Sequence, residues 1–258
     1  MCLIVYKPAG KVVPEEILRS AVVRNHDGFG IMAYVDKRVI TIKSPNSNFN
    51  YILKKWNEFK DYDAALHLRM ATSGEVNLKN THPFRLTLAD GHSLWIMHNG
   101  ILSGATVPIT QKKNSDTFHL VSDFLKFFYE RDPSLVTHDI FLHVLSEFIG
   151  GGNKLVLLDE NGQFYIINQN TGKEHESGCW LSNSYAYTDP KEAYWSTSYN
   201  FRGNHSRWVD GKWVDVVNTS SDSSNTKSLP VPSLPLDKEE SFVYYTADGK
   251  KVHVKKKR

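Results

Sequence analysis

Only two of the 258 residues are cysteine, Cys2 and Cys179, and one of them lies at the extreme terminus. Such a pair does not read as the disulfide framework of a small secreted domain. Long apolar runs are also missing: none approaches the roughly 20 residues needed to cross a bilayer. The apolar stretch Leu3-Ile4-Val5 is far too short for a signal peptide. A cytoplasmic protein with no membrane partner is the expectation. Charge of one sign is lacking too, since 31 Lys and Arg against 28 Asp and Glu leave a net +3. Much of that excess sits at the end, in Lys250, Lys251 and Lys255 to Arg258. A body so close to neutral gives no case for a nucleic-acid partner. Asn25-His26-Asp27-Gly28-Phe29-Gly30 is glycine-rich, but no Lys-Ser/Thr and no correctly spaced third glycine follow it. No Walker segment or dinucleotide fingerprint occurs elsewhere, so no cofactor is expected. The histidines lack tight ligand spacing such as H-x-x-x-H, so no metal is expected.

What the chain does have is a hydrophobic share of 40% with 12% aromatics, enough for a sizeable core. Residues 2–6 read as a buried strand, and a helix is expected from Pro14 to Arg24. Gly28–Val35 and Val39–Ile42 read as strands, and Tyr51–Phe59 has helical spacing. Ala64–Arg69 and Ser93–His98 read as further strands. Ser115-Asp116 can cap a helix with Phe118, Val121, Leu125 and Phe128 on one face. A second helix is expected from Thr137, with Ile140, Phe141, Val144, Leu145 and Phe148 on its face, ending at Gly150-Gly151-Gly152. Leu155–Leu158 and Phe164–Ile167 flank the hairpin signal Asn161-Gly162, and Cys179–Leu181 reads as one more strand. This order suits an α+β fold with helices packed on sheets. Residues 1–190 form the expected main domain. A hairpin extension over 191–218, a flexible linker over 219–238 and a short hairpin with a basic tail over 239–258 follow it.

Five segments carry chemistry. Cys2 bears a thiol and, once Met1 is removed, an α-amine on neighbouring atoms, with reference pKa values near about 8.5 and about 7.7–8.0. The amine can then take the thiol proton without a separate histidine; read alone, Cys2 is better taken as a small residue starting a strand. In His67-Leu68-Arg69-Met70-Ala71-Thr72-Ser73-Gly74 a strand runs into a hydroxyl-rich turn. Arg69 offers a planar fork to a carboxylate, and Thr72 and Ser73 add neutral hydrogen bonds; a surface ion pair and a plain turn are the alternative. Thr81-His82-Pro83-Phe84 follows. Met97-His98-Asn99-Gly100-Ile101 is a turn signal, and equally a pair of oxyanion donors from the Asn99 amide and the Gly100 N–H. Asn114-Ser115-Asp116-Thr117 caps a helix and also presents a carboxylate to an ammonium group.

Taken in order, Met-Cys, His-Asp-Gly-Phe-Gly, His-Leu-Arg-Met-Ala-Thr-Ser-Gly, Thr-His-Pro-Phe, His-Asn-Gly-Ile and Ser-Asp-Thr resemble the glutaminase domain of class II glutamine amidotransferases. These belong to the N-terminal nucleophile hydrolases, and the resemblance covers residues 2 to about 185. It implies a four-layer α/β/β/α sandwich of two stacked antiparallel sheets. It implies that Cys2 is the nucleophile and its amine the base. Arg69, Thr72 and Ser73 would bind the glutamine carboxylate, Asp116 its ammonium, and Asn99 and Gly100 the oxyanion. His82 would lie beside the pocket, while Asp27, Gly28 and Gly30 shape the structure next to the nucleophile. Met70 and Ser73 depart from the family, which often has Trp and His there.

Glutamine is thus the implied small-molecule substrate, hydrolysed through a thioester with release of ammonia. Nothing after residue 190 resembles a domain that activates an acceptor. A separate ATP-dependent ligase or synthetase is therefore the expected partner. A free-standing amidase for another γ-glutamyl amide and a catalytically silent module of the same fold are the alternatives.

Overall fold

The computed structural model describes residues 2–88, 91–104 and 106–187, together with the backbone of residues 205–209, 212–216, 241–245 and 251–255. The expected linker over 219–238 and Trp195 lie outside the described residues. The chain divides into two compact units, Met1–Pro190 with Glu240–Arg258, and Lys191–Glu239.

Eight strands of the first unit build one antiparallel sheet: β1 (Leu3–Lys7), β2 (Phe29–Val35), β3 (Arg38–Ser44), β4 (Ala64–Leu68), β9 (Lys173–Glu174), β10 (Trp180–Leu181), β13 (Ser241–Tyr245) and β14 (Lys251–Lys255). Their order is β14-β13-β3-β2-β4-β1-β10-β9. A second antiparallel sheet, in order β5-β6-β7-β8, holds β5 (Phe84–Thr87), β6 (Ser93–Asn99), β7 (Lys154–Asp159) and β8 (Phe164–Ile167). In the other unit β11 (His205–Val209) and β12 (Lys212–Val216) pair with each other antiparallel. The last hairpin, β13 and β14, does more than pair with itself, because β13 also extends the large sheet along β3.

The layers follow from which side chains cluster. Leu3, Val5, Ile31, Leu66 and Leu68 pack beneath helices α1 (Glu15–Arg24) and α2 (Phe49–Asn57) through Ile17, Leu18, Ile52 and Trp56. Ile4, Met32 and Ala65, on the opposite face of the same strands, meet Trp95, Met97, Val156 and Leu158 from the second sheet. Leu94, Ile96, Leu155 and Leu157 then face the remaining helices. Adjacent residues of β1, β4, β6 and β7 thus enter different cores, as the two-residue period of a strand requires. The result is a helix, sheet, sheet, helix sandwich of α+β class, the architecture implied by the family resemblance. Because these strands are covered on both faces, they read as near-continuous apolar runs rather than as alternating ones.

The second helical layer departs from its expected faces. Between α3 (Asp116–His119) and α4 (Lys126–Tyr129) the helix widens to a π segment, Leu120–Leu125. The extra residue rotates the helix, so Leu120 and Tyr129 are buried along with Val121 and Leu125, while Phe118 and Phe128 are only half-buried. The next helix, α5, starts at Asp139 after a 3₁₀ turn over Pro133–Thr137. It buries Leu145 and Ile149, and leaves Ile140 and Val144 exposed to solvent. Tyr51 N donates to the Asn48 side chain at 3.0 Å, which starts α2 two residues ahead of the periodic pattern. No described helix is long and apolar enough to cross a membrane.

Candidate active site

Three strand ends converge on Cys2. Antiparallel pairing sets Leu3 opposite Leu68 and Phe29 opposite Leu68, so the chain leaving β4 at Arg69 runs between the starts of β1 and β2. Arg69 N donates to Gly28 O at 2.8 Å and Asp27 N donates to Arg69 O at 2.9 Å, continuing the ladder past the sheet. The Cys2 thiol is held by the next residue: Met70 N donates to Sγ, and Sγ donates to Met70 O, both at 3.4 Å. Asp27 accepts from Ala71 N at 2.8 Å and so ties down the first turn of the 70–75 loop.

One small cavity of about 20 Å³ is walled by Cys2, Arg69, Met70, Thr72, Ser73, His82, His98, Gly100 and Asp116, among others. Of the eight residues expected to form the site, seven line it: Cys2, Gly100, Arg69, Thr72, Ser73, His82 and Asp116. Asn99 is buried at the end of β6, immediately before the wall, and its amide meets Ser182 Oγ at 2.7 Å. Arg69 does not reach outward as a surface ion pair. It is 3% exposed and its guanidinium donates to Ser73 O and Glu75 O, both at 3.2 Å. Asp116 accepts from Ser73 Oγ at 3.2 Å and, through its other oxygen, from Leu102 N at 2.8 Å. Ser115 caps the helix as its position suggests, accepting from Phe118 N at 3.1 Å. A carboxylate at this helix start is favoured by the exposed N–H groups of the first turn. Thr72 is exposed on the loop.

Two glycines are dictated by close approach. Gly100 has φ +150, and a Cβ there would come within 2.1 Å of Asn153 Oδ1. At Gly30 a Cβ would lie 1.8 Å from His82 O, so β2 is pressed directly against the histidine's backbone. His82 itself is 4% exposed, meets the His67 ring in a tilted contact at 4.0 Å between centroids, and has no hydrogen-bond partner among the described residues for either ring nitrogen.

Burial sets the protonation states. Desolvation pushes the Cys2 thiol above its ordinary value, against the lowering by the Met70 backbone and Arg69. Burial also drives His67 down to about 3 and His82 well below 6.5, and it lowers His98. All three are therefore neutral near pH 7. His98 is gripped at both nitrogens, by Thr117 Oγ1 at 2.7 Å and Asn153 Oδ1 at 3.0 Å. Because Asn153 Nδ2 donates to Ile149 O at 2.6 Å, its oxygen faces His98 and accepts. In the neutral ring Nε2 then carries the hydrogen and Nδ1 accepts from Thr117. No group of three or more His, Cys, Asp or Glu among the described residues is disposed to hold a metal ion.

Sequence reasoning missed Ser182, Asn183 and Asn153. Asn183 Nδ2 donates to Cys2 O at 2.8 Å and Ser182 N donates to Ile4 O at 2.9 Å. Leu181-Ser182-Asn183 is an ordinary polar exit from a strand, and only tertiary pairing with β1 gives it a place in the site.

Residues 18–126 match the family model of glutamine amidotransferases class-II. A protein of Escherichia coli K12 named "Putative glutamine amidotransferase YafJ" is 40% identical over 81 residues, covering 30% of this chain and 31% of that protein. A "Putative glutamine amidotransferase" of Haemophilus influenzae is 32% identical over 120 residues, covering 42% of this chain and 40% of that one. The chain thus spans well under half the length of these relatives. Among solved structures, an allosteric regulatory enzyme of purine biosynthesis aligns at TM-score 0.45 and 16% identity, over 70% of this chain and 41% of that one. Glutamine phosphoribosylpyrophosphate amidotransferase from B. subtilis aligns at 0.44 and 15% over the same shares. Residues 18–126 of this chain are thus similar to the class-II glutamine amidotransferases.

Proposed function

We propose that this protein is a glutamine amidotransferase that hydrolyses the side-chain amide of glutamine with the N-terminal Cys2 as nucleophile, after removal of Met1. The observation that carries the reading is the single cavity shared by the Cys2 thiol, Arg69, Gly100 and Asp116. A nucleophile, a cation, an anion and a backbone donor are the four groups an amino-acid amide requires. In this reading Arg69, with Thr72 and Ser73, holds the α-carboxylate and Asp116 holds the α-ammonium, with His82 against the side of the ligand. The free Cys2 amine takes the thiol proton and the thiolate attacks the amide carbon. The carbonyl oxygen becomes negative and is met by the Asn99 amide and Gly100 N–H, a stabilisation worth on the order of 10²–10³ in rate for one donor. The C–N bond breaks, the nitrogen leaves as ammonia with the proton from the Cys2 ammonium, and a γ-glutamyl thioester remains. Water adds to it, releasing glutamate and restoring the thiol.

A cavity of about 20 Å³ has room for about one water. In this reading the 70–75 wall withdraws to admit glutamine; it is held by Asp27 on Ala71 N, by the two 3.2 Å bonds from Arg69, by Ser73 on Asp116 and by Glu75 N on Lys113 O. The ammonia goes to a separate ATP-dependent ligase or synthetase in the cytoplasm, since a free glutaminase would deplete glutamine without return. Glutamate release by purified wild type and Cys2→Ala tests the chemistry. Loss of at least about 10³-fold in kcat is expected, and a variant that keeps wild-type turnover ends the proposal. Release that rises when a co-purifying ligase is added supports the partner; release unchanged by any ligase favours a free-standing amidase.

A further inference from the structure

Ser182 joins the strand of the nucleophile to the turn at Asn99. It is fully buried, its N–H donates to Ile4 O at 2.9 Å, and its Oγ accepts from Ile4 N at 2.8 Å. One end of the Asn99 amide lies 2.7 Å from the same Oγ, and the other end is buried with no partner. The two ends of an amide have nearly the same shape, so the hydrogen-bond network decides which is which. With nitrogen toward Ser182, the serine oxygen accepts twice, its own O–H has no acceptor among the described residues, and Asn99 Oδ1 is a stranded acceptor. With oxygen toward Ser182, the hydroxyl donates to Asn99 Oδ1 while still accepting from Ile4 N. Each serine group then has a partner. The stranded end becomes Nδ2, a buried donor on the residue next to Gly100 that has no acceptor among the described residues; a carbonyl oxygen gaining negative charge would supply one.

We infer that Ser182 is a positioning residue: anchored by the Ile4 backbone, its hydroxyl holds the oxygen of Asn99 and leaves the Asn99 nitrogen free for the reacting carbonyl. This rests on the Cys2 mechanism proposed above. Asn183, which donates to Cys2 O at 2.8 Å, makes the same short segment hold the nucleophile as well. The backbone of the nucleophile and the oxyanion donor are thereby fastened to one post.

Two measurements test this. Neutron diffraction from perdeuterated crystals locates the hydrogens directly. The expected map has the Ser182 deuteron on the line to Asn99 Oδ1, and one with both Asn99 Nδ2 deuterons turned so that the amide nitrogen faces Ser182 overturns the assignment. Glutamate-release kinetics of Ser182→Ala, Asn99→Ala and the double variant then test its consequence. Ser182→Ala is expected to lower kcat by on the order of 10- to 100-fold with KM changed by less than about threefold, because the donor acts only on the transition state. In the Asn99→Ala background the same change is expected to cost less than about twofold, as for two residues acting through one group. Fully additive losses, or a raised KM with kcat intact, overturn the role. If wild type shows no Cys2-dependent glutamate release, the proposed function fails, while the deuteron positions still decide the orientation of Asn99.

Discussion

Individual positions of this site are set by what surrounds them more than by their own chemistry. Gly30 illustrates it. The residue belongs to a β-strand, where glycine is ordinarily a weakness, yet a Cβ there would sit 1.8 Å from His82 O. Backbone cannot yield as a flexible side chain does, so Gly30→Ala is expected to destabilise the fold by about 1–3 kcal/mol. Urea unfolding of the two proteins checks this, and an unchanged midpoint would show that the 82–83 segment moves aside freely. From sequence, Gly28 and Gly30 already stood out as structural neighbours of the nucleophile, but the contact that demands Gly30 was invisible because it links positions 52 residues apart. The same holds for Ser182: its residue type is common at strand exits, and only its bonds to Ile4 and Asn99 distinguish it. Cys2, Arg69, Gly100 and Asp116 were expected together only through the order of their short motifs, each of which reads as ordinary structure when taken alone; the fold brings all four to one cavity.

Among the elements, strands were easier to place than helical faces. β1, β4, β6 and β7 announce themselves through apolar runs, since both of their faces are covered. β5 lacks that mark: its pattern alternates buried and exposed over Phe84–Thr87, and it escaped notice behind the more conspicuous Thr-His-Pro-Phe motif. The helix after Ser115 was placed correctly at its start, where Ser115 supplies the cap, and less well along its length. A 3.6-residue period cannot anticipate the π segment Leu120–Leu125, which rotates the following turn relative to the sheet. The helix ending at Gly150 also presents two apolar side chains to solvent, Ile140 and Val144, that periodicity had assigned to the core. One buried charge went unforeseen as well: Lys7, 1% exposed, donates to the carbonyls of Phe59, Lys60 and Tyr62 and closes the segment after α2. Such a lysine looks like any polar strand end until the three acceptors are brought to it.

At the scale of the whole molecule the sandwich places three neutral histidines in its interior, and this couples stability to pH. Burial holds His67 at about 3, well under the 6.5 of an unfolded histidine, and moves His82 and His98 in the same direction. Below pH 6.5 the unfolded chain therefore binds protons that the folded chain refuses. The stability is fully present above about 6.5 and is lost as pH falls toward 3, by about 1.4 kcal/mol per pH unit for each histidine that remains neutral when folded. Urea unfolding midpoints should fall steeply from pH 7 to pH 4.5, and replacing His67 with Gln should flatten that slope by about one proton. A slope unaffected by the replacement would mean that His67 is charged in the folded protein.

The central claim is that Cys2, freed of Met1, carries the γ-glutamyl group. Its most direct test is mass spectrometry of the N-terminal peptide after the enzyme is mixed with glutamine and quenched in acid during turnover. The account predicts a peptide that begins at Cys2 and bears a γ-glutamyl adduct that disappears once glutamine is exhausted. A peptide that retains Met1 and stays unmodified while glutamate is being released would contradict it.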